Sequence, residues 1–322
     1  MRLSTLFCRA LLLAALCLAP PAVLAYPDGP VRVIVPQPAG SGTDVIGRLL
    51  ATELSRVFGQ NFFVENRPGA NGVTGTAAAA AARPDGHTLL VVAASVMVLN
   101  PHLFKQIGYQ PEQFAPVAFI GETTVVVAAG AKAPFQTLPE MLAAARGRRD
   151  GLSYAIPQVA SMPHLMGEMI RESTGAPLVA VPFRGDAGTT HAILAGDVDV
   201  MMDSVTTVTP LARDGRVRVL AVGSSRRLPG FPDAPTLAEL VPGADASGWF
   251  GVFAPSGTPE PVLRRLNQQI ASAVRQPGLR DRLVQLGVFP VEDNTPQALE
   301  AKSRADLRRY GELIRARNIQ TD

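Results

Sequence analysis

Cysteine is almost absent. The chain has two, Cys8 and Cys17, and both fall in an N-terminal stretch that reads as an export signal. Arg2 and Arg9 give it a positive start. Leu11 to Leu18 is an apolar core, shorter than the roughly 20 residues a membrane-spanning helix needs. Val23-Leu24-Ala25 then offers a small-x-small cleavage pattern, so the processed chain is expected to begin at Tyr26. Anchoring through a lipidated Cys17 is the alternative, and Leu16, where a small residue belongs, speaks against it. A chain processed in this way carries no thiol. That suits an oxidising compartment and excludes disulfide frameworks, Cys-based metal sites and Cys nucleophiles.

Aromatic residues are also scarce, at 6%, and no later apolar run reaches spanning length. Charge of either sign is not clustered. The formal net charge is +3, and removing residues 1–25 takes away two arginines and no acid, leaving +1. Without a basic patch there is no footprint for nucleic acid or for an anionic membrane surface. What remains is rich in Ala, Val and Leu, which favours an α/β protein with buried parallel strands. The 297 residues left after processing (322 less 25) suffice for two domains.

Strand-like and helix-like segments alternate from the start. Val31 to Val35 is a β-branched run, and from Asp44 to Phe58 apolar residues recur at helical spacing before Gly59. A strand at Asn61 to Glu65, a helix at Thr74 to Ala82 and a strand at Thr88 to Ala94 follow. This order predicts a parallel, doubly wound sheet. A second unit begins near residue 123 and repeats the alternation through strands at Thr124 to Ala128, Leu152 to Ile156, Leu178 to Pro182, Val198 to Met202 and Val217 to Val222. Later come a strand at Trp249 to Ala254 and helices at Pro259 to Val274, Gly278 to Leu286 and Pro296 to Arg315. The expected division is a signal at 1–25, a first lobe from 26–122 and 226–322, and a second lobe from 123–225. The stretches after Val125 and after Phe250 share a strand, a Pro-containing turn and a Pro-Glu helix start. They read either as ordinary α/β repetition or as two crossings between lobes.

Several strand-to-helix loops carry candidate chemistry. In Pro38-Ala39-Gly40-Ser41-Gly42-Thr43-Asp44, small residues let an anion approach unpaired helix N–H groups, and Ser41 and Thr43 add hydroxyls. The plainer reading is a tight turn capped by Thr43 or Asp44. The stretch is neither a P-loop nor a dinucleotide fingerprint. Pro157-Gln158-Val159-Ala160-Ser161-Met162-Pro163-His164 is a second such loop, with Ser161 as N-cap. His164 there either donates to a ligand or packs against neighbouring turns. In the third, Pro182 to Thr190, Gly185 and Asp186 sit at a helix start, and Arg184 is a counter-ion or a solvated surface residue. Ser95, at the end of a strand, is a further hydroxyl donor. Asp203 is anomalous: an acid repels an anion unless the ligand carries an ammonium or the acid caps backbone donors.

Taken together these stretches resemble the substrate-binding subunits of tripartite tricarboxylate transporters, the Bug or TctC family. The matching pieces include Val35-Pro36…Gly40…Thr43-Asp44…Arg48, Val64-Glu65-Asn66-Arg67-Pro68-Gly69-Ala70, Pro84-Asp85-Gly86-His87-Thr88, Val181-Pro182-Phe183-Arg184-Gly185, Leu194-Ala195-Gly196-Asp197-Val198-Asp199 and Trp249-Phe250-Gly251. The resemblance implies a two-lobed periplasmic-binding-protein fold of the Venus-flytrap, type II-like kind, each lobe a sheet flanked by helices. It implies a monomeric, periplasmic receptor for a small organic anion, with integral membrane transporter subunits as partners. No enzymatic activity, cofactor, metal or nucleic acid is implied. It assigns carboxylate holding to the loops at Ala39 to Thr43 and Gln158 to Ser161, includes Gly185 and Asp186, and matches Asp203 to an acid often present in the family. This chain departs from the family pattern in having Gly40-Ser41 for a Gly-Gly pair and Gln37 for an aromatic.

Two rival functions follow from the same residues. A hydrolase would use Ser161, His164 and Asp203, but no G-x-S-x-G elbow is present. A sensor feeding a membrane kinase would use the same binding chemistry as a transport receptor.

Overall fold

Strand β1 (Val31–Val35) is buried along almost its whole length, as expected of a strand covered on both faces. The computed structural model describes residues 26–316, apart from 160, 225, 242 and 243. The expected export signal and Ala160 therefore lie outside the described residues. After β1 come α1 (Gly42–Phe58), β2 (Phe62–Asn66), α2 (Val73–Ala80), β3 (Thr88–Ala93) and the short helices α3 (Ala94–Val98) and α4 (Asn100–Leu103). β2 and β3 flank β1, both parallel to it.

The second lobe is built from α5 (Leu138–Arg146), β5 (Leu152–Ile156), α6 (Met162–Thr174), β6 (Leu178–Pro182), α7 (Asp186–Ala195), β7 (Val200–Ser204), α8 (Val205–Arg213) and β8 (Val217–Val222). Its centre is parallel too, with β5 between β6 and β7. The two sheets meet on β4 (Phe114–Gly130), a strand of 17 residues. Its first part, to Thr124, pairs with β9 (Ser247–Pro255), and from Val125 onward it lies between β7 and β8.

The strand order β2-β1-β3-β9-β4-β7-β5-β6 thus runs through both lobes. All pairings made by β4 and β9 are antiparallel, so the sheet is mixed where the sequence predicted a parallel one. Antiparallel neighbours, unlike parallel ones, need no βαβ crossover between them. The first half of β4 was not legible because Pro116 and Gly121 interrupt it. The pairing shifts register next to both, and a Cβ on Gly121 would sit 2.7 Å from the Phe289 carbonyl oxygen.

The C-terminal region returns to the first lobe. After α9 (Leu237–Leu240) and β9 come α10 (Glu260–Arg275), α11 (Pro277–Gln285), β10 (Phe289–Pro290) and α12 (Pro296–Ala316). α10 packs on α1 and β4, and α12 on β4 and α3. Trp249 is fully buried, and its indole N–H donates to Asp306 Oδ2 at 3.0 Å. The Tyr310 hydroxyl donates to the Ser247 carbonyl at 2.7 Å. α12 is thereby pinned to the start of β9, next to the junction of the sheets.

Candidate functional site

A cavity of about 740 Å³ opens where the lobes meet. The loops after β1, β3, β5, β6 and β7 all reach it, so its wall is made of helix N-termini at the carboxyl ends of strands. Such termini carry unpaired N–H groups and a partial positive charge.

At α1 the cap is Ser41, not Thr43 or Asp44. Ser41 is extended (φ −68°, ψ 159°) and its Oγ accepts from the Asp44 N–H at 3.3 Å. The Asp44 carboxylate turns back to accept from the Gly40 N–H at 2.8 Å, from Arg48 Nε at 3.0 Å and from Asn66 Nδ2 at 2.9 Å. Burial alone would raise this acid, but those three donors hold it below the usual carboxylate range. Gly40 adopts φ 82°, a conformation that favours glycine. Its N–H is therefore committed to Asp44 and is not free for a ligand. Thr43 keeps both an N–H and a hydroxyl with no acceptor among the described residues, and both lie at the cavity wall.

At α6 the cap is Ser161, whose Oγ accepts from the His164 N–H at 3.3 Å and donates to the Gln158 carbonyl at 2.7 Å. The hydroxyl proton is used within the loop, so the donor this helix offers is the Met162 N–H, since Pro163 has none. Gln158, Ser161, Met162 and Pro163 line the cavity. Val159 and His164 do not; Val159 is exposed at 43%. Burial lowers the His164 imidazole, with Glu168 and Arg171 acting on it from the same helix.

The remaining predicted residues converge. Ala39, Ser41, Ser95, Gly185, Asp186 and Asp203 all border the cavity. Arg184 is exposed at its edge. Asp203 is buried, accepts from the Ser204 N–H at 2.6 Å and has its Oδ2 2.6 Å from the Thr189 hydroxyl oxygen. Burial, then the neighbouring Asp186, pushes it up to about 8. Asp186 is raised too, chiefly by burial, against the pull of the Gly42 N–H at 3.4 Å. That bond crosses from one lobe to the other. Ser161, His164 and Asp203 form no relay, since the partners of Asp203 are Thr189 and Ser204. Among the described residues no three His, Cys, Asp or Glu side chains gather as a metal site.

Sequence reasoning missed α8 and its contributions. Ser204 caps it, accepting from the Thr206 N–H at 3.2 Å, and Ser204 and Thr206 border the cavity. The signal was a serine directly after an apolar strand; Pro210, inside the helix, masked it. Thr123 was missed as well. It lies on β4 at the cavity wall, and its hydroxyl is buried with no hydrogen-bond partner. Phe183, Trp249 and Phe250, none of them among the expected site residues, supply apolar wall.

The comparisons with known proteins agree with this architecture. The family described as "Tripartite tricarboxylate transporter family receptor" matches residues 46–319. The chain is similar to a UPF0065 protein of Bordetella bronchiseptica, at 35% identity over 97% of this chain and 94% of that protein. It is similar to the solved periplasmic binding protein BugD, with a TM-score of 0.85 and 32% identity over 92% of this chain and 100% of the other. It also resembles MatC from Rhodopseudomonas palustris with bound malate, with a TM-score of 0.82 and 31% identity over 90% of this chain and 100% of that one. The two-lobed fold is that of the periplasmic binding proteins, in a family of solute-binding transport proteins rather than enzymes. With most of its length matched, the chain belongs to the tripartite tricarboxylate transporter receptor family.

Proposed function

We propose that this periplasmic solute-binding protein captures a small carboxylate in the interlobe cavity and delivers it to integral membrane transporter subunits. The observation that carries this reading is the convergence of helix N-termini from both lobes on one cavity. The Thr43 N–H and hydroxyl and the Met162 N–H are donors at its wall that the loops leave uncommitted. Ser95 and Thr123 add hydroxyls. Neutral dipoles of this kind hold a carboxylate without leaving an uncompensated cation when the site empties. A ligand that touches both lobes binds the closed arrangement better and shifts the population toward it. MatC, with malate bound, is a relative of similar fold, and a C4 to C6 dicarboxylate fits the cavity volume here.

A thermal-shift panel of malate, succinate, adipate, citrate, aspartate, benzoate and nicotinate tests the proposal. An acid at a hundredfold its dissociation constant stabilises by about 2.7 kcal/mol. The expected result is a clear rise in Tm with at least one dicarboxylate, lost in Thr43→Pro, which removes the N–H. No shift with any carboxylate would end the proposal.

A further inference from the structure

Two carboxyl groups stand at the wall of a cavity read as a carboxylate site, and among the described residues no cation acts on either. Asp203 lies at the end of β7, 1% exposed, and Asp186 opens α7. Thr189 Oγ1 stands 2.9 Å from the Asp186 main-chain oxygen and 2.6 Å from Asp203 Oδ2. A hydroxyl has one proton to give, and a carbonyl has none. Both contacts are satisfied together only when Asp203 is the donor on its side. A proton on Asp203 would satisfy both.

Asp186 is placed differently. Its Oδ2 accepts from the N–H of Gly42, the first residue of α1 in the other lobe. It occupies the positive end of the helix at which an incoming carboxylate would seek donors, and two carboxylates close together cannot both stay charged there. The groups around the pair are few. α1 brings the Gly42 N–H and Asp44, which Arg48 neutralises. The loop before α7 carries Arg184, exposed at the cavity edge. α6 carries His164 and Glu168, the latter ion-paired with Arg171. β4 and α8 present only hydroxyls, Thr123, Thr124, Ser204, Thr206 and Thr207. The Thr207 hydroxyl is buried beside both carboxyls and lowers both, so it favours their charged forms and opposes the rise that burial causes.

We propose that the cleft takes a carboxylate together with a proton: the ligand displaces Asp186 from the N-terminus of α1, and Asp186, with no cation to turn to, is protonated from solvent as the lobes close. This rests on the cavity being a carboxylate site. The pair then works as a positioning and charge-selecting element of the receptor, favouring capture at lower pH.

Two measurements test it. The first is calorimetry with malate, or with adipate if malate gives no heat, in buffers of different ionisation enthalpy at pH 7. Close to one proton is taken up per ligand, and affinity falls by about tenfold per pH unit on raising the pH above neutral. Asp186→Asn abolishes both the uptake and the pH dependence. The second needs no ligand. Carbon-13 NMR of the aspartate side chains shows one carboxyl still in its acid form at neutral pH, and that signal is missing from Asp203→Asn. Ligand heat without proton uptake overturns the inference while leaving the proposed function standing. So does a ligand-free spectrum in which every aspartate is ionised at neutral pH. The absence of heat from any carboxylate would instead count against the function.

Discussion

Replacing Gly42 by alanine should block closure without harming either lobe. Gly42 is the first residue of α1, and a Cβ there would stand 2.6 Å from Thr206 Oγ1 and 3.3 Å from its Cβ, across the cleft. Contact at 2.6 Å requires Thr206 to turn away. The Thr206 hydroxyl is held 2.6 Å from Ser204 Oγ, so turning it breaks a hydrogen bond worth about 1 kcal/mol. The displaced, β-branched side chain adds about 0.5–1.5 kcal/mol of rotamer strain. With the lobes apart neither cost arises, and alanine at a helix start is no worse than glycine. The expected outcome is a loss of roughly 1.5–2.5 kcal/mol in ligand affinity, about 10- to 70-fold, with Tm in the absence of ligand close to that of the parent. Titration calorimetry with the strongest acid of the panel measures it. The double variant Gly42→Ala, Thr206→Ala removes the obstructing atoms and should recover most of the loss. Full affinity in Gly42→Ala, or no recovery in the double variant, would show that this contact does not govern closure.

Three further predictions concern buried acids. Asp306→Ala removes the acceptor for the Trp249 indole and the Lys302 ammonium; a loss of about 1.5–3 kcal/mol is expected in denaturant unfolding, with Asp306→Asn losing less because it still accepts from Trp249. Asp44 lies below the ordinary carboxylate range when folded, so it stabilises the fold above its unfolded value and that stability is lost on acidification. Asp44→Asn should flatten the acid limb of a plot of Tm against pH. Asp203 has the opposite sign. With a folded value of about 8, its contribution is intact at acid pH and is lost as pH rises from about 4 toward 8, with a slope of at most about 1.4 kcal/mol per pH unit. Asp203→Asn should hold its Tm better over that window, and an unchanged slope would refute the assignment.

Much of the fold was legible because local signals agreed with one another. The helix of α1 announced itself by spacing and by Gly59, the helix of α6 by Ser161 and Gly175, and the buried strands by their β-branched runs. The long strand β4 was half hidden, because Pro116 and Gly121 break the pattern where its pairing with β9 shifts register. α8 was hidden by Pro210. The loops singled out in the sequence meet at one cavity, but which donors there are free depends on three-dimensional bonds. Gly40 has given its N–H to Asp44, and Ser161 its proton to Gln158. His164 was placed by sequence on the correct helix, but it turns from the cavity, since its position along α6 faces Glu168 and Arg171 rather than the cleft. Thr123 carries no motif; only burial of its hydroxyl without a partner marks it. Asp203 looked out of place for an anion site from sequence alone, and its contacts with Thr189 and Ser204 are visible only in three dimensions.

A crystal structure with the strongest-binding acid of the panel would probe the grip of the helix ends most directly. The ligand carboxylate should lie within hydrogen-bond distance of the Thr43 and Met162 N–H groups, with Asp186 moved off Gly42. An acid bound outside the interlobe cavity, or inside it with both N–H groups left unpaired, would contradict the account.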